Sequence, residues 1–252
     1  MFKYTKKEVK HIIIASLILA FVFAFNDKQT TFNISYYISN FLLAILSSFM
    51  VILTYAFFQK LVAYHYKAET EYSIWSIERY YFTESSKIKI KIGKKIINKL
   101  PLSAIIAIIA TLVSKGRFYF AALSSFKLKE KKHLRLHHTR PNVTNYELAL
   151  IALAGPLSNL VLAIAFKSIQ PELFKNFITI NLFHSFYCMI PLSQLDGAKI
   201  FFGSRYLYAF SLTIILTALI LINFIPIAIM LIIAITLALV ATIAIFNSTK
   251  ST

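Results

Sequence analysis

The sequence predicts an all-α, polytopic membrane protein of about six transmembrane helices, with a re-entrant segment at roughly residues 101–126. Three observations carry this. Hydrophobic residues make up 58% of the 252 positions and charged ones 15%, against roughly 45–50% and about 25% in soluble domains. The apolar residues fall in blocks, and blocks near 20 residues match a hydrocarbon core about 30 Å thick. The basic residues stand between the blocks, where topology rules place them.

Taken in order, basic Met1–Lys10 precedes apolar Ile12–Phe25. That resembles a signal peptide, but Phe23-Ala24-Phe25-Asn26 is no small-residue cleavage pattern, so 11–25 reads as a retained first span. The other expected spans are 36–58, 146–167, 177–192, 205–222 and 226–246. Asn223 and Pro226 break the last long run into two, as a tight turn requires. Between the second and third spans lies Pro101–Ser114, whose fourteen residues cover about 21 Å as a helix, too short to cross. Lys115-Gly116-Arg117 and the shorter Phe118–Phe126 follow it.

Loop charge sets the orientation. Residues 59–99 hold nine Lys/Arg, 127–140 hold six and the first ten hold four, while 26–35 hold only Lys28. The positive-inside rule places the N-terminus, 59–99 and 127–145 in the cytoplasm of a cell-membrane protein. Residues 101–126 then enter and return on one side, as a re-entrant hairpin or two short helices, and shape an internal cleft. The units expected are 1–35, a first helix and loop; 36–204, a membrane core; and 205–252, a C-terminal helix pair.

A formal charge of +17 suggests nucleic acid, but a soluble binder interleaves bases with aromatics on a folded face. Here the cations flank apolar blocks and face anionic lipid, so the bilayer is the expected partner and nucleic acid is not. One cysteine, Cys188, excludes an internal disulfide and a cysteine-based zinc site.

Two stretches carry polar chemistry inside apolar surroundings. In IALAGPLSNLVLAI, Gly155-Pro156 marks a kink or a close helix crossing, and Asn159 adds an amide able to bond across helices or to an extended backbone. In CMIPLSQLDGAKIF, Asp196 follows a span end, where a carboxylate near lipid is costly unless it pairs or acts.

Together these stretches resemble the site-2 protease family of intramembrane zinc metalloproteases, in its archaeal and bacterial branch. Ala154-Gly155-Pro156 and Asn159 match the family's A-G-P-x-x-N helix. Pro191, Leu195, Asp196 and Gly197 match its N-x-x-P-x-x-P-L-D-G block. With the surrounding spans the resemblance covers roughly residues 40–205 and implies a site-2-protease-like core. It implies Asp196 as third zinc ligand, joined by two histidines of an H-E-x-x-H motif whose glutamate is the general base. A downstream stretch similar to L-V-A-x-x-Y-x-A-E-F-x-x-W fixes the register on Leu61-Val62-Ala63, Tyr66, Glu71-Tyr72 and Trp75. Counting back puts Tyr55 and Gln59 at the histidine positions and Ala56 at the glutamate. Cys188 replaces the asparagine of the second block and Gln194 its second proline. No catalytic residue is therefore expected at Tyr55, Ala56 or Gln59, and no cofactor, with Asp196 a residual ligand position.

Other sites for the chemistry were open. His65 and Glu69 stand four apart on a helical continuation of the second span, about 15 Å beyond Tyr55. His133, His137 and His138 stand among Lys129, Lys131, Lys132, Arg135 and Arg140, which oppose a divalent ion. His184 would lie about 18 Å from Asp196 on a regular helix, with an interhelical hydrogen bond as its expected role. It could also touch Cys188, one turn on. The function expected is a pseudoprotease whose cleft binds transmembrane peptide segments without cutting them, with Asn159, Pro191, Cys188, Gly155, Pro156 and Gly197 lining it. The alternatives are a zinc metalloprotease with unconventional ligands around Asp196, and a small membrane carrier or channel-like protein using Asp196 and His184 as proton or ion groups. On the first reading Asp196 faces Tyr55 and Gln59, two donors able to satisfy a carboxylate without metal.

Overall fold

The structure, a computed structural model, describes residues 4–26, 33–76, 90–92, 95–97, 100–130, 143–192 and 194–250. It is mostly helical. The chain runs α1 (Lys6–Ala24), α2 (Ile34–His65), β1 (Ala68–Ile74), β2 (Ile90–Ile92), β3 (Lys95–Ile97), α3 (Leu102–Val113) and β4 (Ser124–Glu130). It continues through α4 (Asn145–Ile169), α5 (Lys175–Cys188), α6 (Asp196–Gly203), α7 (Arg205–Leu221) and α8 (Ile227–Lys250).

Among the described residues, three helices are long and apolar enough to cross a membrane: α2, α4 and Ile227–Thr249 of α8. The other three expected spans fall on α1, α5 and α7. The latter two, at 14 and 17 residues, are shorter than the roughly 20 that a straight crossing takes. α1 opens on a charged turn and closes its N-terminus with a capping box in which Thr5 and Glu8 bond each other's backbone N–H. Thr144 and Glu147 do the same for α4.

α2 outruns the expected 36–58 segment. Its 32 residues extend about 48 Å, so the turns bearing Tyr55 and Gln59 stand near its far end. It stops at His65, and Lys67 takes a left-handed φ of 56° before β1 begins. Glu69 therefore lies on a strand, and the helical spacing expected of His65 and Glu69 does not exist. Both are exposed.

Residues 101–126 do reverse, but with one helical limb and one extended limb. α3 ends in a turn with Lys115 at φ 53° and Gly116 at φ 73°. A Cβ on Gly116 would also meet Asn26 Cβ at 2.7 Å, so glycine is required there twice over. The returning chain becomes β4 and pairs antiparallel with β1, Tyr72 opposite Phe126. β2 and β3 form a separate two-stranded ladder.

Small residues let the helices close up, as in other lipid-embedded packings. α1 packs along α2, where Ala20 and Ala24 meet Ala44, and Ala15, Ser16 and Ser48 are also buried. α4 occupies the centre against α2, α5 and α6. α7 and α8 pack on each other as a hairpin, and α8 keeps most of its surface exposed.

Glu8 ties the sheet to the helices. Its carboxylate is fully buried, accepts the Tyr72 N–H at 2.8 Å and pairs with Lys60 Nζ at 2.7 Å. Lys60 also donates to Thr70 O at 2.7 Å. The backbone groups that β1 would otherwise leave unpaired on this edge are thus met by side chains from α1 and α2.

Candidate functional site: a buried carboxylate enclosed by side chains

Tyr55 and Gln59 lie one turn apart on α2 and face the Gly155-Pro156 turn of α4. A Cβ on Gly155 would come within 2.6 Å of Tyr55 Cζ; the glycine makes room for the phenol ring. Pro156 has no N–H to give to the carbonyl four residues earlier. That carbonyl, Ala152 O, receives Gln59 Nε2 instead, at 3.5 Å. Ser185 of α5 donates to Pro156 O at 2.7 Å. The turn that proline weakens is therefore braced from both neighbouring helices.

Asp196 is the first residue of α6 and fully buried. Its Oδ2 accepts from Tyr55 Oη, and from Gln59 Nε2 at 2.5 Å. Its Oδ1 pairs with Lys199 Nζ at 2.8 Å, one helical turn along. Lys199 also donates to Phe126 O at 3.2 Å and sits 3.6 Å from the centre of the Phe126 ring. Both carboxylate oxygens are thereby satisfied and the charge is countered within the protein. Gly197 holds this geometry by contact: a Cβ there would lie 2.0 Å from Met189 O. The glycine is thus a close-packing residue against the end of α5.

A second polar cluster adjoins the first through Tyr55, whose ring packs edge-on against His184 at 4.9 Å between centres. His184 Nδ1 lies 2.9 Å from Asn159 Nδ2, and Nε2 lies 2.8 Å from Ser124 Oγ and 3.7 Å from Cys188 Sγ. Tyr72 Oη continues the chain to Ser124 at 2.9 Å, and burial raises this phenol above its ordinary pKa. The expected 18 Å between His184 and Asp196 does not arise. α5 ends at Cys188 and the chain doubles back, so the two clusters share one wall.

Neither family models nor curated proteins nor solved structures match this chain. The chemistry must be read from the residues themselves.

The structure brings Tyr55, Gln59, Gly155, Pro156, Gly197 and Asp196 together, with Asn159 and Cys188 in the adjoining cluster. Ala56 is buried beside Tyr55 and offers no polar group. Pro191 is exposed on the α5–α6 connection, as is the Gln194 side chain. His133, His137 and His138 lie outside the described residues. Among the described residues, no group of three or more His, Cys, Asp or Glu side chains is placed to hold a metal ion. Sequence reading missed Lys199, although its position three after Asp196 on a helix was a usable signal. It also missed Ser124 and Tyr72, which stand on strands, Ala68–Ile74 and Ser124–Glu130, short enough to pass for loop and hairpin. As placed, the Asp196 site holds helices together; it presents neither a free carboxylate oxygen nor an open coordination position.

Proposed function

We propose that this chain is a catalytically degenerate, site-2-protease-like membrane protein that binds membrane-embedded peptide segments without hydrolysing them. The observation that carries this reading is the enclosure of Asp196 by Tyr55 and Gln59, the two positions where the resemblance calls for zinc-binding histidines. Two further fits support it. Gly155 accommodates the Tyr55 ring and Pro156 frees the carbonyl that Gln59 reaches, so the A-G-P turn and the altered α2 positions suit each other. Ala56 stands where a general base is needed and cannot move a proton. On this reading α1, α2, α4, α5, α7 and α8 are six spans, with the N-terminus and the basic loops cytoplasmic by their charge.

The test is reconstitution with single-span peptides carrying a photo-crosslinker. The reading expects saturable crosslinking to α2, α4 or α5 and intact peptide by mass. Cleavage that an added chelator stops, and that Asp196→Ala abolishes, would overturn it. So would crosslinking no greater than to an unrelated membrane protein.

A further inference from the structure

We propose that Ser124, His184 and Asn159 form a serine-type acyl-transfer site, separate from the Asp196 carboxylate, that acts on an apolar carboxylic ester. Three elements deliver the groups. β4 brings Ser124, α5 brings His184 and α4 brings Asn159, all fully buried. Ser124 Oγ lies 2.8 Å from His184 Nε2, and the other ring nitrogen lies 2.9 Å from the Asn159 amide. Nucleophile, base and orienting amide thus stand in order at hydrogen-bond distance.

One hydroxyl stands beside the nucleophile: Tyr72 Oη, 2.9 Å from Ser124 Oγ. The Ser124 N–H faces away from β1 and is turned to Cys188 Sγ. A donor such as the Tyr72 hydroxyl stabilises the tetrahedral oxyanion of acyl transfer.

The resting cluster holds the opposite proton arrangement. With Asn159 Nδ2 donating to Nδ1, the imidazole proton sits on Nε2 and goes to Ser124 Oγ. Asn159 Oδ1 is buried without a partner. Turning the amide end for end places Oδ1 on Nδ1, moves the proton there and frees Nε2 to accept the serine proton. The turn leaves the amide nitrogen where the unpaired oxygen now stands.

The surroundings select the substrate class. Ala121, Ala122, Leu123 and Ile180 belong to the same apolar core as Tyr72 and Cys188, surroundings that favour an apolar substrate and penalise a charged group. Ser124 Oγ adds to the ester carbonyl carbon, and its proton passes to His184 Nε2. The carbon–alkoxy bond breaks and the alcohol leaves with that proton. Water, with His184 again the base, hydrolyses the acyl-serine to the acid and restores the hydroxyl. Ser124 is fully buried in the resting structure, so acylation is slow and waits on an opening that leaves the Ser124–His184 pair in place.

The experiment treats the full chain in lipid nanodiscs with a long-chain alkyl fluorophosphonate and maps the adduct by mass. The expected result is a single adduct on Ser124, lost in Ser124→Ala and kept in Cys188→Ala. Asn159→Ala slows labelling about tenfold or more, and Asn159→Asp restores it with an altered pH profile. An adduct that persists in Ser124→Ala, an adduct on Cys188 in its place, or no adduct on wild-type protein that melts cooperatively would each overturn the assignment.

Discussion

Replacing Lys199 with methionine probes the enclosure of Asp196 most sharply. The substitution keeps the stem that covers the Phe126 ring and removes the ammonium from Oδ1, 2.8 Å away. Tyr55 and Gln59 still serve Oδ2, but Oδ1 is left charged, buried and unpartnered. Removing one member of a buried pair costs about 3–5 kcal/mol. The Lys199 side chain keeps 16% of its exposure, so water can approach from that side and about 3 kcal/mol is the better estimate. Asp196→Asn alone leaves the ammonium facing an amide and is also destabilising. In the double variant the charge problem is gone, and the asparagine oxygen can accept from Tyr55 and Gln59. Unfolding free energies in an SDS titration, measured for wild type, both single variants and the double, complete the cycle. The double should be more stable than the sum of singles predicts by about 1.5 kcal/mol or more, whereas strict additivity would refute a direct Asp196–Lys199 coupling.

Three other perturbations follow from the same structure. Gly155→Ala drives a methyl into the Tyr55 ring and should cost about 1–3 kcal/mol in the same titration; in a Tyr55→Ala background it should be close to neutral, and an equal cost in both backgrounds refutes the contact. Lys60→Met strands the Glu8 carboxylate between α1 and β1, so limited proteolysis should cut near α1 faster than in wild type, with Glu8→Gln/Lys60→Met partly restoring resistance. At the sheet surface the Lys129 ammonium, 2.6 Å away, holds Glu71 below its ordinary pKa, helped by the Thr5 hydroxyl. A carboxylate with a lowered folded pKa contributes stability above its unfolded value, near 4.5, and loses it as pH falls through the folded one. Thermal midpoints should therefore fall with acid more steeply in wild type than in Glu71→Gln, and parallel acid limbs would remove Glu71 from the account.

What could be read from the chain, and what could not, has a physical pattern. Apolar blocks over α2, α4 and α8 follow from lipid as solvent, and the break between α7 and α8 follows from Asn223 and Pro226. Asp196 stood out because a lone acid beside an apolar segment is costly, and its donors could be named by register. The strands were missed although both alternate. In Ala68–Ile74 the even-numbered positions are the buried ones, and Phe126 and Leu128 alternate with Lys127 and Lys129. Segments so short are easily absorbed into a basic loop when charge is read for topology alone. The neighbourhood of His184 was misjudged for another reason. Rise per residue measures distance only along one helix, and the chain doubles back between Cys188 and Asp196. The buried Glu8–Lys60 pair joins residues far apart in sequence, so no local spacing announced it.

The central claim is that the protein's own side chains, Tyr55, Gln59 and Lys199, take up the carboxylate oxygens of Asp196. The most direct test is the zinc content of the purified wild-type chain after exposure to excess zinc and removal of free metal. The account predicts far less than one zinc per chain, with the same value in Asp196→Ala. One zinc per chain, lost on Asp196→Ala, would contradict it.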